Sequence, residues 1–204
     1  MRLPIERKFG APRTQGSTFS FPEATVSQLY DTLARKYSFD PGRMDVVPLD
    51  RQSANFFSRF DIALRPEQQL SVRYNFVASS SDRPPQGSTV FAEGTLAENT
   101  STVHSVIAQL NSLFGPALSN ELLVGFTSRR FVSEPRGAPF PFVDFIVTDR
   151  LGWWNHLTVG SEMGGSGQRL SQDHLEIHNT VSLSTGEHLL TGGVQGEVHW
   201  FSSQ

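Results

Sequence analysis

The chain of 204 residues contains no cysteine, which excludes disulfide frameworks, thiolate metal sites and cysteine nucleophiles together. Lysine is almost as scarce, with Lys8 and Lys36 alone against an otherwise all-arginine basic set. The formal net charge is -3 and the pI is near 6.1. A general nucleic-acid binder draws its affinity from a surplus of Lys and Arg facing phosphates, so that class is excluded. Long apolar runs are missing as well. Met1 to Lys8 carries positive charge but lacks behind it the run of roughly seven apolar residues that a secretion signal needs. No stretch approaches the roughly 18 apolar residues of a membrane-crossing helix. These absences lead to the expectation of a soluble protein with no membrane contact, cytoplasmic or held in a soluble particle.

Motifs of catalysis and cofactor binding are absent too. There is no G-x-S-x-G elbow, no H-E-x-x-H helix and no EF-hand loop. Gly164 to Gly167 is glycine-rich, yet it lacks the G-x-x-x-x-G-K-[ST] pattern, and strand-like sequence follows it where an anion site needs a helix. It is expected to be a flexible loop.

What the sequence does contain is enough apolar residue for a folded protein. Leu, Ile, Val and Phe make up about a quarter of it, above the level at which chains stay disordered. From Glu23 to Phe39, Val26, Leu29, Tyr30, Leu33 and Tyr37 recur at three-and-four spacing, which predicts a helix begun at Pro22. From Ser101 to Phe114, Val103, Val106, Ile107, Leu110, Leu113 and Phe114 suggest a second helix stopped by Gly115-Pro116. Thr25-Val26 aligns with Thr102-Val103, which raises an internal duplication. Phe60 to Leu64 and Leu70 to Phe76 alternate around Arg65 to Gln69 as a hairpin. Thr89–Leu96, Glu121–Val132 and Phe142–Thr148 read as shorter strands, and Ser79 to Gly87 as a linker. The expected fold class is α+β: two amphipathic helices on a largely antiparallel sheet. It forms one domain over 1–204, with two similar sheet-plus-helix lobes, 15–87 and 88–204, as a variant.

Leu170 to Ser184 and Glu187 to Phe201 flank Thr185-Gly186, which predicts a long hairpin with Ser184 opposite Glu187. Leu175, Ile177, Val181 and Leu183 then share one face with Leu190, Val194, Val198 and Trp200, and that face is expected to be buried. The other face collects His174, Glu176, His178, Glu197 and His199, with Glu197 across from His174. On strands rising near 3.3 Å per residue, His174, Glu176, Glu197 and His199 form the compact group, a mixed nitrogen and oxygen set suited to a divalent metal. The plain alternative is a solvated sheet face. Trp153, Trp154 and His156 form a second cluster, in which one indole packs inward while the other is free to stack on a ligand.

With sixteen phenylalanines and no catalytic signature, the leading functional expectation is a non-catalytic binding or protein-interaction module presenting a sheet surface. A metal-dependent enzyme built on the His/Glu face is a second reading, and a self-assembling structural component of a particle a third. No cofactor is implied beyond that divalent metal, and the expected partner is a protein or a second copy of the chain.

Overall fold

A computed structural model of the protein describes residues 5–8, 23–44, 46–85, 90–148, 152, 154–161 and 167–204. In chain order the elements are β1 (Ile5–Lys8), α1 (Glu23–Tyr37), β2 (Val46–Leu49), β3 (Arg51–Arg65), β4 (Gln68–Arg83), β5 (Val90–Phe91), a 3-10 turn (Glu93–Thr95), β6 (Ala97–Phe114), β7 (Leu118–Pro135), β8 (Val143–Thr148), β9 (Trp154–Val159), β10 (Gln168–Thr185) and β11 (His188–Ser203). Strands dominate, and α1 is the one α-helix among the described residues. The expected α+β class is thereby overturned.

The helix at 23–37 forms where the spacing placed it. Val26 and Leu33 are buried, and the chain leaves the helix through Ser38 in the left-handed region (φ 50°). The N–H of Ser38 bonds to Ala34 and that of Phe39 reaches back to Leu33, closing the last turn.

The second expected helix is strand β6. Its apolar residues fit a helical period, but under a period of two they divide, with Val103, Ile107 and Leu113 on one side and Val106, Leu110 and Phe114 on the other. Near its start, Thr100, Thr102 and Val103 are β-branched residues that favour extended backbone. Hydrogen bonding from β4 on one side and β7 on the other decides the outcome. The alignment of Thr25-Val26 with Thr102-Val103 therefore matches a helix to a strand.

Three sheets are present among the described residues. β1 pairs with β2, β5-β9-β8 form a three-stranded sheet, and the long strands form a six-stranded sheet in the order β11-β10-β7-β6-β4-β3. Tight turns at Pro66-Glu67, Gly115 to Ala117 and Gly186-Glu187 close its hairpins. Backbone bonds from Leu113 to Glu67 and from Ser184 to Ala117 bring the three turns to the same end of the sheet. Every neighbouring pair is thus antiparallel. The hairpin at 60–76 lies within β3 and β4, and β4 runs on through Ser79–Arg83, where a linker was expected.

The chain divides into two compact units. One holds residues 1–52, 80–100 and 132–168. Its core joins Val26, Leu33, Phe39, Met44, Val90, Ala92, Leu157 and Val159, with Phe140 stacked on Phe39 at 3.9 Å between ring centroids. Gly137 is packed so closely against the backbone of Gly94 that a Cβ there has no room. The other unit holds 53–79, 101–131 and 169–204. It has no such core. Its buried residues include Ser71 and Ser112, while Phe60, Val194 and Trp200 stand 63%, 72% and 50% exposed.

Candidate functional site

Side-chain contacts sort the six long strands into two faces. Phe56 meets Tyr74, Phe76 meets the His104 ring, and Tyr74 Oη lies 2.9 Å from His104 Nδ1. By alternation this face also takes Phe60, Ile62 and Leu64 on β3, Val106 and Leu110 on β6, Val124 and Phe126 on β7, and the apolar rows of β10 and β11. The opposite face is mainly polar. Arg59 pairs with Asp61, Arg73 donates to Gln109 at 3.1 Å, and Thr127 donates to Ser105 at 3.1 Å. Phe57, Leu113, Leu189 and Phe201 interrupt its polarity.

The hairpin β10–β11 carries the expected site residues. Its register is two residues from the predicted one, with Thr185 opposite His188, His174 opposite His199 and Glu176 opposite Glu197. The turn uses Gly186-Glu187, with Gly186 at φ 58°, where the predicted turn used Thr185-Gly186. A shift of two leaves every side chain on its predicted face. Leu175, Ile177, Val181 and Leu183 do lie with Leu190, Val194, Val198 and Trp200. The expected burial of that face is wrong: Ile177, Val198 and Trp200 are exposed.

On the polar face the His174 and His199 rings stack at 4.2 Å, tilted by 7°. Their Nε2 atoms stand 3.6 and 3.5 Å from the same Glu197 Oε2. The other oxygen, Oε1, accepts a bond from Gln195 Nε2 at 2.8 Å. His174 Nε2 is shielded from solvent and has no hydrogen-bond partner. Glu176 lies outside this group, its carboxylate over Gly125 of β7, where any Cβ would collide with it. His178 is held by Thr180 at 2.8 Å. Beside His174 an open groove of about 310 Å³ is lined by Val103, Thr127, Arg129 and Gln172. Sequence reasoning missed Gln195, Gly125 and this groove, because all three depend on register.

The second expected cluster is divided. Trp153 lies outside the described residues. Trp154 begins β9 and is 66% exposed. His156 sits across from Ile146, its Nδ1 2.8 Å from Asp144 Oδ2. Arg130 forms a bidentate pair with Asp173 on the apolar-row side of β10.

A family model described as an outer membrane beta barrel domain matches residues 21–203. No curated protein and no solved structure matches the chain. The family match overturns the expectations of a soluble interaction module, of a metal-dependent enzyme and of a particle component. It also replaces the cytoplasmic or particle location and the expected lack of membrane contact with the outer membrane. No helix among the described residues is long and apolar enough to cross a membrane, a fact that leaves crossing by strands open.

Proposed function

The chain belongs to the outer membrane beta barrel domain family, and from that membership we propose that its six long strands are membrane-spanning wall, with the apolar face toward lipid and the polar face toward a water-filled lumen. The observation that carries this reading is the two-faced alternation that persists over all six strands without a core beneath the apolar side. In water such a face would be an aggregation hazard, whereas in lipid it is the solvent-matched surface. The strands have 15 to 18 residues, more than the roughly 9–11 that cross a bilayer at a 45° tilt. Their surplus length projects past the membrane.

Bilayer physics also specifies what the edges need. β3 and β11 end the strand order, and an unpaired row of N–H and C=O groups is not tolerated in hydrocarbon. The smallest membrane barrels have eight strands. In the membrane, strands beyond these six pair with both edges.

Fluorescence tests the lipid contact directly. The chain has three tryptophans, so replacing Trp153 and Trp154 with Phe leaves Trp200 as the reporter. Reconstituted into vesicles of brominated phosphatidylcholine, its emission should fall by half or more relative to unbrominated vesicles. Emission quenched by aqueous acrylamide and indifferent to bromine would overturn the reading.

A further inference from the structure

We infer that His174, His199 and Glu197 form a binding site for one divalent transition-metal ion on the polar face of the β10–β11 hairpin. Zinc holds nitrogen and oxygen ligands at about 2.0–2.2 Å, so two ligand atoms of a tetrahedral ion stand about 3.4 Å apart. The two Nε2-to-Oε2 distances are 3.6 and 3.5 Å, and all three ligand atoms lie within 4.8 Å of one another. Two of the three edges of a coordination face are near that length, and because the imidazoles stack in nearly parallel planes both rings must turn toward one another for their Nε2 lone pairs to meet a single ion.

The chemistry of the surrounding groups agrees. Gln195 engages Oε1 of Glu197 and leaves Oε2 for the ion, the outer-shell orientation that metal carboxylates commonly receive. His174 Nε2 is shielded from solvent and, although Glu197 Oε2 stands 3.6 Å away, makes no hydrogen bond, an arrangement that a bound ion would relieve. Two imidazoles and one carboxylate suit zinc, copper(II) or nickel far better than magnesium or calcium, which take oxygen ligands. The fourth position opens on the polar face, beside the groove at Gln172 and Arg129.

Placement in a membrane rests on the barrel reading, but metal binding does not. The two histidines lie eleven residues from the turn ends Thr185 and His188, which at about 3.3 Å per residue and a 45° tilt is roughly 26 Å of height, near the far boundary of the apolar band. A lumen-facing site at that level is reachable from water.

Titration calorimetry of the folded chain in detergent, with zinc chloride alone at pH 7.5, tests the inference. One equivalent should bind, with affinity reduced at least tenfold in each of H174A, H199A and E197Q. Glu176→Gln, whose carboxylate lies over Gly125, should keep the wild-type affinity. Cobalt(II) substitution gives a reading on the wild-type protein that no variant's folding can confuse, an intense visible band of tetrahedral coordination that zinc removes. Zinc uptake equal in wild type and in the H174A/H199A double variant would overturn the inference. So would a loss in E176Q as large as in E197Q, or the absence of the cobalt band. Loss of metal binding with retained bromolipid quenching would sink the metal site and leave the barrel reading intact.

Discussion

Asp82 keeps only 5% of its side chain exposed, yet its carboxylate both accepts the N–H of Asp50 at 2.9 Å and meets Arg136 Nη1 at 2.8 Å. Nothing in the sequence marks it, since it sits in a serine-rich stretch that reads as linker. The stretch is strand, and Asp82 ties its end to two distant segments. Asp82→Ala strands a backbone N–H and an arginine at once. We expect a loss of about 2–3 kcal/mol in denaturant unfolding, less than a fully buried pair because Arg136 is partly exposed, with Asp82→Asn recovering part of it. An unchanged transition would mean that the pair is idle. The same limit of legibility applies at the candidate site. Residue types and alternation were enough to collect His174, Glu197 and His199 on one face. Which residue sits opposite which was fixed by the turn, and moving it from Thr185-Gly186 to Gly186-Glu187 paired the two histidines and the two glutamates.

At the scale of the element, a single face carries two readings that the sequence cannot separate. Leu175, Ile177, Val194 and Val198 alternate in the same way on a core-facing hairpin and on a lipid-facing one, because lipid and protein core both exclude charge. Only the exposure of Val194, at 72%, shows that no core lies beneath it. The strand–helix error at β6 has a related cause. A barrel strand need not be strictly polar on its inner side, and Val103 and Ile107 there complete a helical period by coincidence. Val194 lies six residues from the turn end His188, which is about 14 Å of height at 3.3 Å per residue and a 45° tilt, close to the bilayer midplane. Val194→Arg should therefore cost about 2–4 kcal/mol when unfolding is measured in lipid vesicles, while Gln195→Arg, one residue on and facing the other way, should change stability by less than about 1 kcal/mol. Equal costs would show that the two faces are not lipid and lumen.

For the whole molecule, the connections set the orientation. The turns at Pro66-Glu67, Gly115 to Ala117 and Gly186-Glu187 are tight, whereas the segments joining the hairpins, 84–96 and 136–167, are long and carry β5, β8, β9 and part of the buried core. Outer-membrane barrels have short periplasmic turns and longer extracellular loops. The unit formed by α1, the three-stranded sheet and the core around Leu157 and Val159 was partly legible, since α1 and β8 were read correctly. The two-faced run of long strands was not, because each strand's signal is weak and the two faces average to an ordinary composition. The lack of cysteine makes the orientation easy to test, as any cysteine introduced is the only one present. Three positions suffice, Glu67→Cys and Glu187→Cys in the tight turns and Ala138→Cys in a long connection. On intact cells a membrane-impermeant maleimide should label Ala138→Cys and spare both turn positions, which should react only once the outer membrane is permeabilised. The reverse pattern would invert the topology, and labelling of all three on intact cells would mean that the six strands do not span the membrane.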